Sequence, residues 1–170
     1  MAFIRQGIWY IAPLVFEKIE EDENLWDFFI GSVLEVSSVI VCYFLIDSSL
    51  RRVGTLTISS FILVVSMLGI CFLGEKYFGD LSNVGRFGTQ IAFNVLFLYT
   101  PEIYEISLRG IGTGIANSLL DFGALVMPFI LIPLFNIQVS MPFQILAVLS
   151  VGFLLSNIFL PKETMGKHIH

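Results

Sequence analysis

The chain has 170 residues, 56% of them hydrophobic and only 14% charged, with 17 Phe and a mean hydropathy of +0.86. A water-soluble domain is about 45–50% apolar and about 25% charged, and one of this size could not bury so much apolar surface. The net charge of −5 comes from clustered acids, and without a basic patch the chain carries no electrostatic footprint for nucleic acid.

Crossing a bilayer as a helix takes roughly 20 apolar residues. The first candidate, 2–16, is short and carries Arg5. An acidic stretch with Glu17, Glu20, Glu21, Asp22, Glu23 and Asp27 separates it from an apolar run at 28–46. Further runs follow at 56–73, 84–99, 111–135 and 143–160, divided by the polar segments 47–52, 74–83, 101–110 and 136–142. These runs are too long for strands and show no period-two alternation. The expected fold is all-α, a single domain over 1–170 forming a polytopic bundle of about six transmembrane helices, with the lipid bilayer as its partner. Cys42 and Cys71 sit inside apolar runs without metal-ligand spacing, as small buried hydrophobes do.

Lys and Arg positions orient such a bundle through the positive-inside bias. With both termini cytoplasmic, the inner side holds Arg5, Arg51, Arg52, Arg109, Lys162 and Lys167, and the outer loops hold only Lys18 and Lys76. That asymmetry favours an even number of crossings, which makes the short first segment a span.

Ionisable groups inside the membrane are costly, so each is a functional candidate. Glu35 lies twelve residues before Asp47, Arg86 thirteen before Tyr99, and Asp121 twelve beyond Arg109, which puts all three about 18–20 Å from the inner side at 1.5 Å per residue. At this common depth Arg86 could pair with either acid. Arg86, Gln90 and Asn94, spaced by four, form one stripe on a helix, and Asn117 with Asp121 repeats the spacing. Such stripes suit a water-filled solute pathway; hydrogen bonding between helices suits them too. For Arg86 a place near the outer interface, with snorkelling, is a further alternative. Gly110 and Gly114 either permit close helix contact or simply begin a helix. No Ser/His pair, zinc motif or paired-aspartate motif sits at membrane depth, so the expectation is a protein that is not an enzyme and needs no metal or cofactor.

The stretch YTPEIYEISLRGIGTG at 99–114 resembles the Tyr-Thr-Pro/Ala-Glu-x-Tyr-Pro-Thr-x-x-Arg-x-x-Gly-x-Gly signature of the major facilitator superfamily, in its organic-ion and synaptic-vesicle-2-related branch. Tyr99, Thr100, Pro101, Glu102, Tyr104, Arg109, Gly112 and Gly114 match, while Glu105 and Ile106 replace the Pro-Thr. Glu35 followed by Asp47, Arg51 and Arg52 is similar to the family's eighth helix and Asp-x-x-Gly-Arg-Arg loop, with Leu50 at the glycine position. Arg86 fits its tenth helix, and PKETMGK at 161–167 is similar to its Pro-Glu-Thr-Lys-Gly tail. Asp121 departs from the branch, which often carries a basic residue there.

The resemblance implies half of a major-facilitator fold: the second six-helix bundle, entered within a shortened seventh helix and built from inverted three-helix repeats. It further implies transport of a small organic solute by alternating access, together with a second six-helix half or a homodimer. In that setting Asp47, Arg51, Arg52, Glu102 and Arg109 form a cytoplasmic gate; in bare physical terms they serve equally as topology anchors and solvated loop charges. The alternative function is a truncated, non-transporting membrane fragment or interaction module.

Overall fold

The structure, a computed structural model, describes residues 1–19, 24–47, 51–73, 77–104, 106–138 and 140–160. Over these the chain is helical: α1 (Ala2–Ile19), α2 (Asn24–Asp47), α3 (Arg51–Leu73), α4 (Phe78–Ile103), α5 (Arg109–Ile137) and α6 (Met141–Ile158). Glu20–Glu23, Glu75, Lys76, Glu105 and the tail with Lys162, Lys167, His168 and His170 lie outside the described residues, as do the side chains of Glu17, Lys18, Asp27 and Arg51.

Helices α1 to α5 overrun the apolar stretches that announce them. α4 starts ahead of the 84–99 run and ends beyond it, taking in Asp80, Pro101 and Glu102. Hydropathy marks only the part that needs hydrocarbon, whereas intrahelical hydrogen bonding carries the backbone on into the interface, where charges are solvated. The 26 residues of α4 span about 39 Å, against a hydrocarbon core of about 30 Å. By length and composition α2, α3 and α5 can each cross a membrane, and α6 contributes a shorter apolar helix at Met141–Asn157. α1 and α4 are interrupted by Arg5 and Arg86, and they are shielded by their neighbours: α4 packs on α1, α2, α3 and α5, and α1 on α4, α5 and α6.

Side-chain contacts fix the helix directions. α1 and α4 are antiparallel, with Arg5 at Gln90 and Trp9 at Arg86. α3 and α4 are antiparallel too, with Ser66 beside Gly85, Ile62 beside Gly88 and Arg52 at Glu102. α2 runs parallel to α4, with Gly31 by Asn83, Glu35 by Arg86 and Cys42 by Ile91. α5 runs parallel to α1, with Phe3 by Gly123 and Gly7 by Leu131. Phe78 packs edge-on against Phe143, which places the starts of α4 and α6 at one end. Successive helices therefore alternate up and down.

The contact pattern also reveals an internal repeat. Exchanging α1 with α4, α2 with α5 and α3 with α6 maps every main helix contact onto another, except α4 against α5. Because α1 opposes α4, the two three-helix units are inverted relative to each other, the arrangement common in transporter folds. The pseudo-two-fold axis passes between α1 and α4 on one side of the bundle and between α3 and α6 on the other.

One apolar core gathers Ile4, Ile8, Leu63, Met67, Leu131 and Leu146 from α1, α3, α5 and α6; a second joins Cys42, Leu56, Ile91 and Val95 from α2, α3 and α4. Gly88 lets two backbones touch, since a Cβ there would lie 3.2 Å from the Ser59 carbonyl oxygen. Buried Ser59, Ser60, Ser66 and Thr89 return their hydroxyl protons to carbonyls of their own helices, so this seam stays narrow without orphaned donors. Outward, Phe29, Val36, Tyr43, Phe72, Leu125 and Phe129 are among many exposed large hydrophobics. Apolar surface on this scale is stable against lipid and not against water. The chain is an integral membrane protein.

Candidate functional site

Charged and amide side chains of α1, α2 and α4 converge at the α1–α4 contact. Arg86 is buried at 3% exposure, and its Nε donates to Glu35 Oε1 across 2.8 Å. Gly31, one turn before Glu35, makes room for this: a Cβ there would fall 2.6 Å from an Arg86 Nη and 2.5 Å from Asn83 Oδ1. The guanidinium also lies over the Trp9 ring, 5.2 Å from its centroid. Of the two acids open to Arg86 by depth, the fold selects Glu35. Snorkelling to the interface is set aside, because Arg86 is enclosed by α1 and α2.

One turn further along α4, Gln90 accepts a hydrogen bond from Arg5 Nε at 3.3 Å and donates to Asn94 Oδ1 at 3.5 Å. The Arg5 guanidinium stacks over Phe93, 4.3 Å from the ring centroid. The predicted stripe of Arg86, Gln90 and Asn94 is thus continuous and faces α1. Two cations and one carboxylate occupy this region, and Glu35 also acts electrostatically on Arg5.

Arg5 corrects the sequence reading, which set it among the cytoplasmic loop charges. Its partner Gln90 is thirteen residues from the end of α4 at Ile103 and twelve from its start at Phe78, or about 20 Å and 18 Å. Arg5 therefore lies at mid-bundle, because the antiparallel register sets the first turn of α1 against the middle of α4. Without Arg5 the expected inner side counts five basic residues rather than six, against two on the expected outer side. Trp9 and Gly31 also escaped the sequence reading. A tryptophan four residues after an arginine on an interrupted span was the available signal for the first; Gly31 offered none.

On α5, Asn117 and Asp121 join no part of this network. Asn117 lines a cavity of about 400 Å3 between α4 and α5, shared with Phe93, Phe97 and Thr100. Asp121, one turn on, is exposed and has no ion pair among the described residues.

At the end of the bundle where α3 starts and α4 stops, Arg52 forms an ion pair with Glu102. Asp47 and Arg109 are exposed at the end of α2 and the start of α5, without an ion pair among the described residues. Of the four predicted gate residues whose side chains are described, Arg52 and Glu102 meet. Gly110 and Gly114 face open space, so the close-contact reading of that spacing fails, and Gly7, Gly85 and Gly88 make the tight approaches instead. Among the described residues, no group of three His, Cys, Asp or Glu is arranged to hold a metal ion.

No protein-family model matches the chain. Curated proteins do. Solute carrier family 22 member 3 of Rattus norvegicus is 30% identical over 151 residues, covering 84% of this chain and 27% of the relative. Organic cation transporter 1 of Caenorhabditis elegans is 26% identical over 168 residues, covering 94% and 28%. Solute carrier family 22 member 2 of Homo sapiens is 29% identical over 172 residues, covering 94% and 30%. These relatives are transporters and not enzymes, and the chain spans about a quarter to a third of their length.

Proposed function

We propose that this chain, a homologue of organic-ion transporters of the major facilitator superfamily, acts as one six-helix half of a secondary transporter that moves a small organic solute by alternating access. The observation that carries the reading is the Glu35–Arg86 pair, buried where α1 and α4 meet on the pseudo-two-fold axis. A lipid-facing bundle gains little stability from enclosing an ion pair, since desolvation offsets the attraction. A solute pathway, by contrast, needs charge and amide groups at that depth. Gln90 and Asn94 extend the polar line along α4, and Asn117 and Asp121 supply a second wall on α5. Arg52 and Glu102 close the start of α3 against the end of α4 as part of a gate, with Asp47, Arg51 and Arg109 at the same end of the bundle. That face is cytoplasmic by its excess of basic residues, so both chain ends lie on the cytoplasmic side. The side of the bundle presenting α1 and α4, flanked by α2 and α5, receives a second six-helix half.

The test is uptake of a panel of radiolabelled organic ions into cells producing the full chain alone and with six-helix transporter halves. Saturable uptake that is lost in Glu35→Gln and in Arg86→Gln supports the reading. Uptake indifferent to both substitutions counts against this site. Absence of uptake with every partner favours a non-transporting interaction module.

A further inference from the structure

We propose that Arg5 receives an anionic group, a carboxylate or similar oxyanion, of the solute held at the centre of the bundle. The inference rests on the transport reading above and names the charge class its site takes.

Hydrogen-bond and charge accounting at the α1–α4 contact motivates it. Glu35 is committed to Arg86 at 2.8 Å. Arg5 makes no ion pair among the described residues, and the only described hydrogen bond of its side chain is from Nε to the neutral Gln90 oxygen. A guanidinium holds its proton under all relevant conditions, so this charge cannot be relieved by deprotonation. Stacking on Phe93 covers one face of the guanidinium and uses none of the remaining N–H donors, which lie along its edges. Donors also end the neighbouring amide chain: Gln90 donates to Asn94, whose own amide nitrogen is buried without an acceptor. A ligand that brings acceptors and a negative charge satisfies both. Phe93 also lines the 400 Å3 cavity between α4 and α5, so that cavity borders the ring on which Arg5 stacks. Asp121 is the competing internal partner. α1 and α5 run parallel with Phe3 at Gly123, so Asp121 lies about one turn behind the level of Arg5, exposed and unpaired with it.

The test compares benzoate, its neutral isostere benzamide, and tetraethylammonium, measuring equilibrium binding to the purified full chain in nanodiscs and uptake into cells. Benzoate should bind at least about tenfold more tightly than benzamide, the factor expected for one charge-assisted hydrogen-bonded contact. Arg5→Gln should bring that ratio to within about twofold, and Arg5→Lys should keep part of it. A flat ratio in the unaltered protein, or one that survives Arg5→Gln, overturns the proposal. Should Arg5→Gln not fold, the unaltered ratio and Arg5→Lys decide. Uptake that depends on Glu35 and Arg86 with a flat ratio removes the Arg5 inference alone. A tenfold ratio without uptake of any of the three removes the transport reading and leaves the anion site.

Discussion

Breaking the central ion pair from one side should cost far more than removing it from both. At 2.8 Å and an effective dielectric of about 20, Glu35 and Arg86 attract by roughly 6 kcal/mol, while desolvation costs several kcal/mol per ion, so the intact pair is worth little net. Glu35→Gln removes the attraction and leaves the desolvated Arg86, 3% exposed, facing a neutral amide; the expected loss is about 3–5 kcal/mol. Arg86→Gln is milder, about 2 kcal/mol, because the Glu35 side chain is 15% exposed and keeps part of its hydration. The double variant should recover at least about 1.5 kcal/mol relative to Glu35→Gln, giving a coupling clearly beyond the scatter of additive sites. Equilibrium unfolding of the purified chain in mixed micelles measures all four corners. Trp9 fluorescence reports the local change, since that ring lies against Arg86. A Glu35→Gln variant within about 1 kcal/mol of the parent, with additive energies in the cycle, would refute the premise that Arg86 is enclosed rather than bathed by pathway water.

Four further outcomes follow from the same contacts. Gly31→Ala should push the Arg86 guanidinium off its seat, costing about 1–2 kcal/mol and shrinking the Glu35–Arg86 coupling in the same cycle. Gly88→Leu meets backbone of α3, which cannot yield as a side-chain tip can, and should cost about 3 kcal/mol in the same unfolding assay. Ser60→Ala deprives Asn157, whose amide donates to the Ser60 hydroxyl at 2.8 Å, of its acceptor; unfolding should register a loss of about 1 kcal/mol. Arg52→Glu should barely alter stability, under about 1 kcal/mol, because both partners are partly exposed, yet it should change uptake kinetics, and adding Glu102→Arg should restore them.

Much of the fold was legible because a bilayer imposes a length. Apolar runs separated by charge located all six helices, and a four-residue spacing placed Arg86, Gln90 and Asn94 on one face. Boundaries were not legible: hydropathy reports the solvent a segment needs, and α4 continues into the interface on backbone hydrogen bonds that carry no compositional mark. The inverted repeat was invisible in the letters for a related reason. Symmetry is preserved in which helices touch, whereas each interface is met by different residues, such as Gly85 and Gly88 for α4 on α3 but Gly7 for α1 on α5 and α6. Within the site, charge and depth left Glu35 and Asp121 equally open to Arg86, and the packing of α2 on α4 decides between them. Arg5 was misplaced because distance from the start of a run stands for depth only when that run begins at the interface.

The repeat also explains why Arg5 and Arg86 have different surroundings. Across the axis the two helices exchange similar contacts: Arg86 of α4 lies on Trp9 of α1, and Arg5 of α1 lies on Phe93 of α4. α2 flanks α4 as α5 flanks α1, so the position corresponding to Glu35 falls where α5 passes Arg5. There the side of α5 turned toward α1 carries Gly123 against Phe3 and Leu131 near Gly7, with Met127 between them, buried in the apolar core. No acid is offered on that stripe. The asymmetry therefore lies in the flanking helices and not in the central pair, and it leaves one cation with an internal partner and one without. An aromatic face holds such a cation in place, but its attraction, about 0.5–2 kcal/mol, is too small to offset several kcal/mol of desolvation. The difference has to be met from outside the bundle, by water or by an acidic solute, and only the latter makes the surplus charge selective.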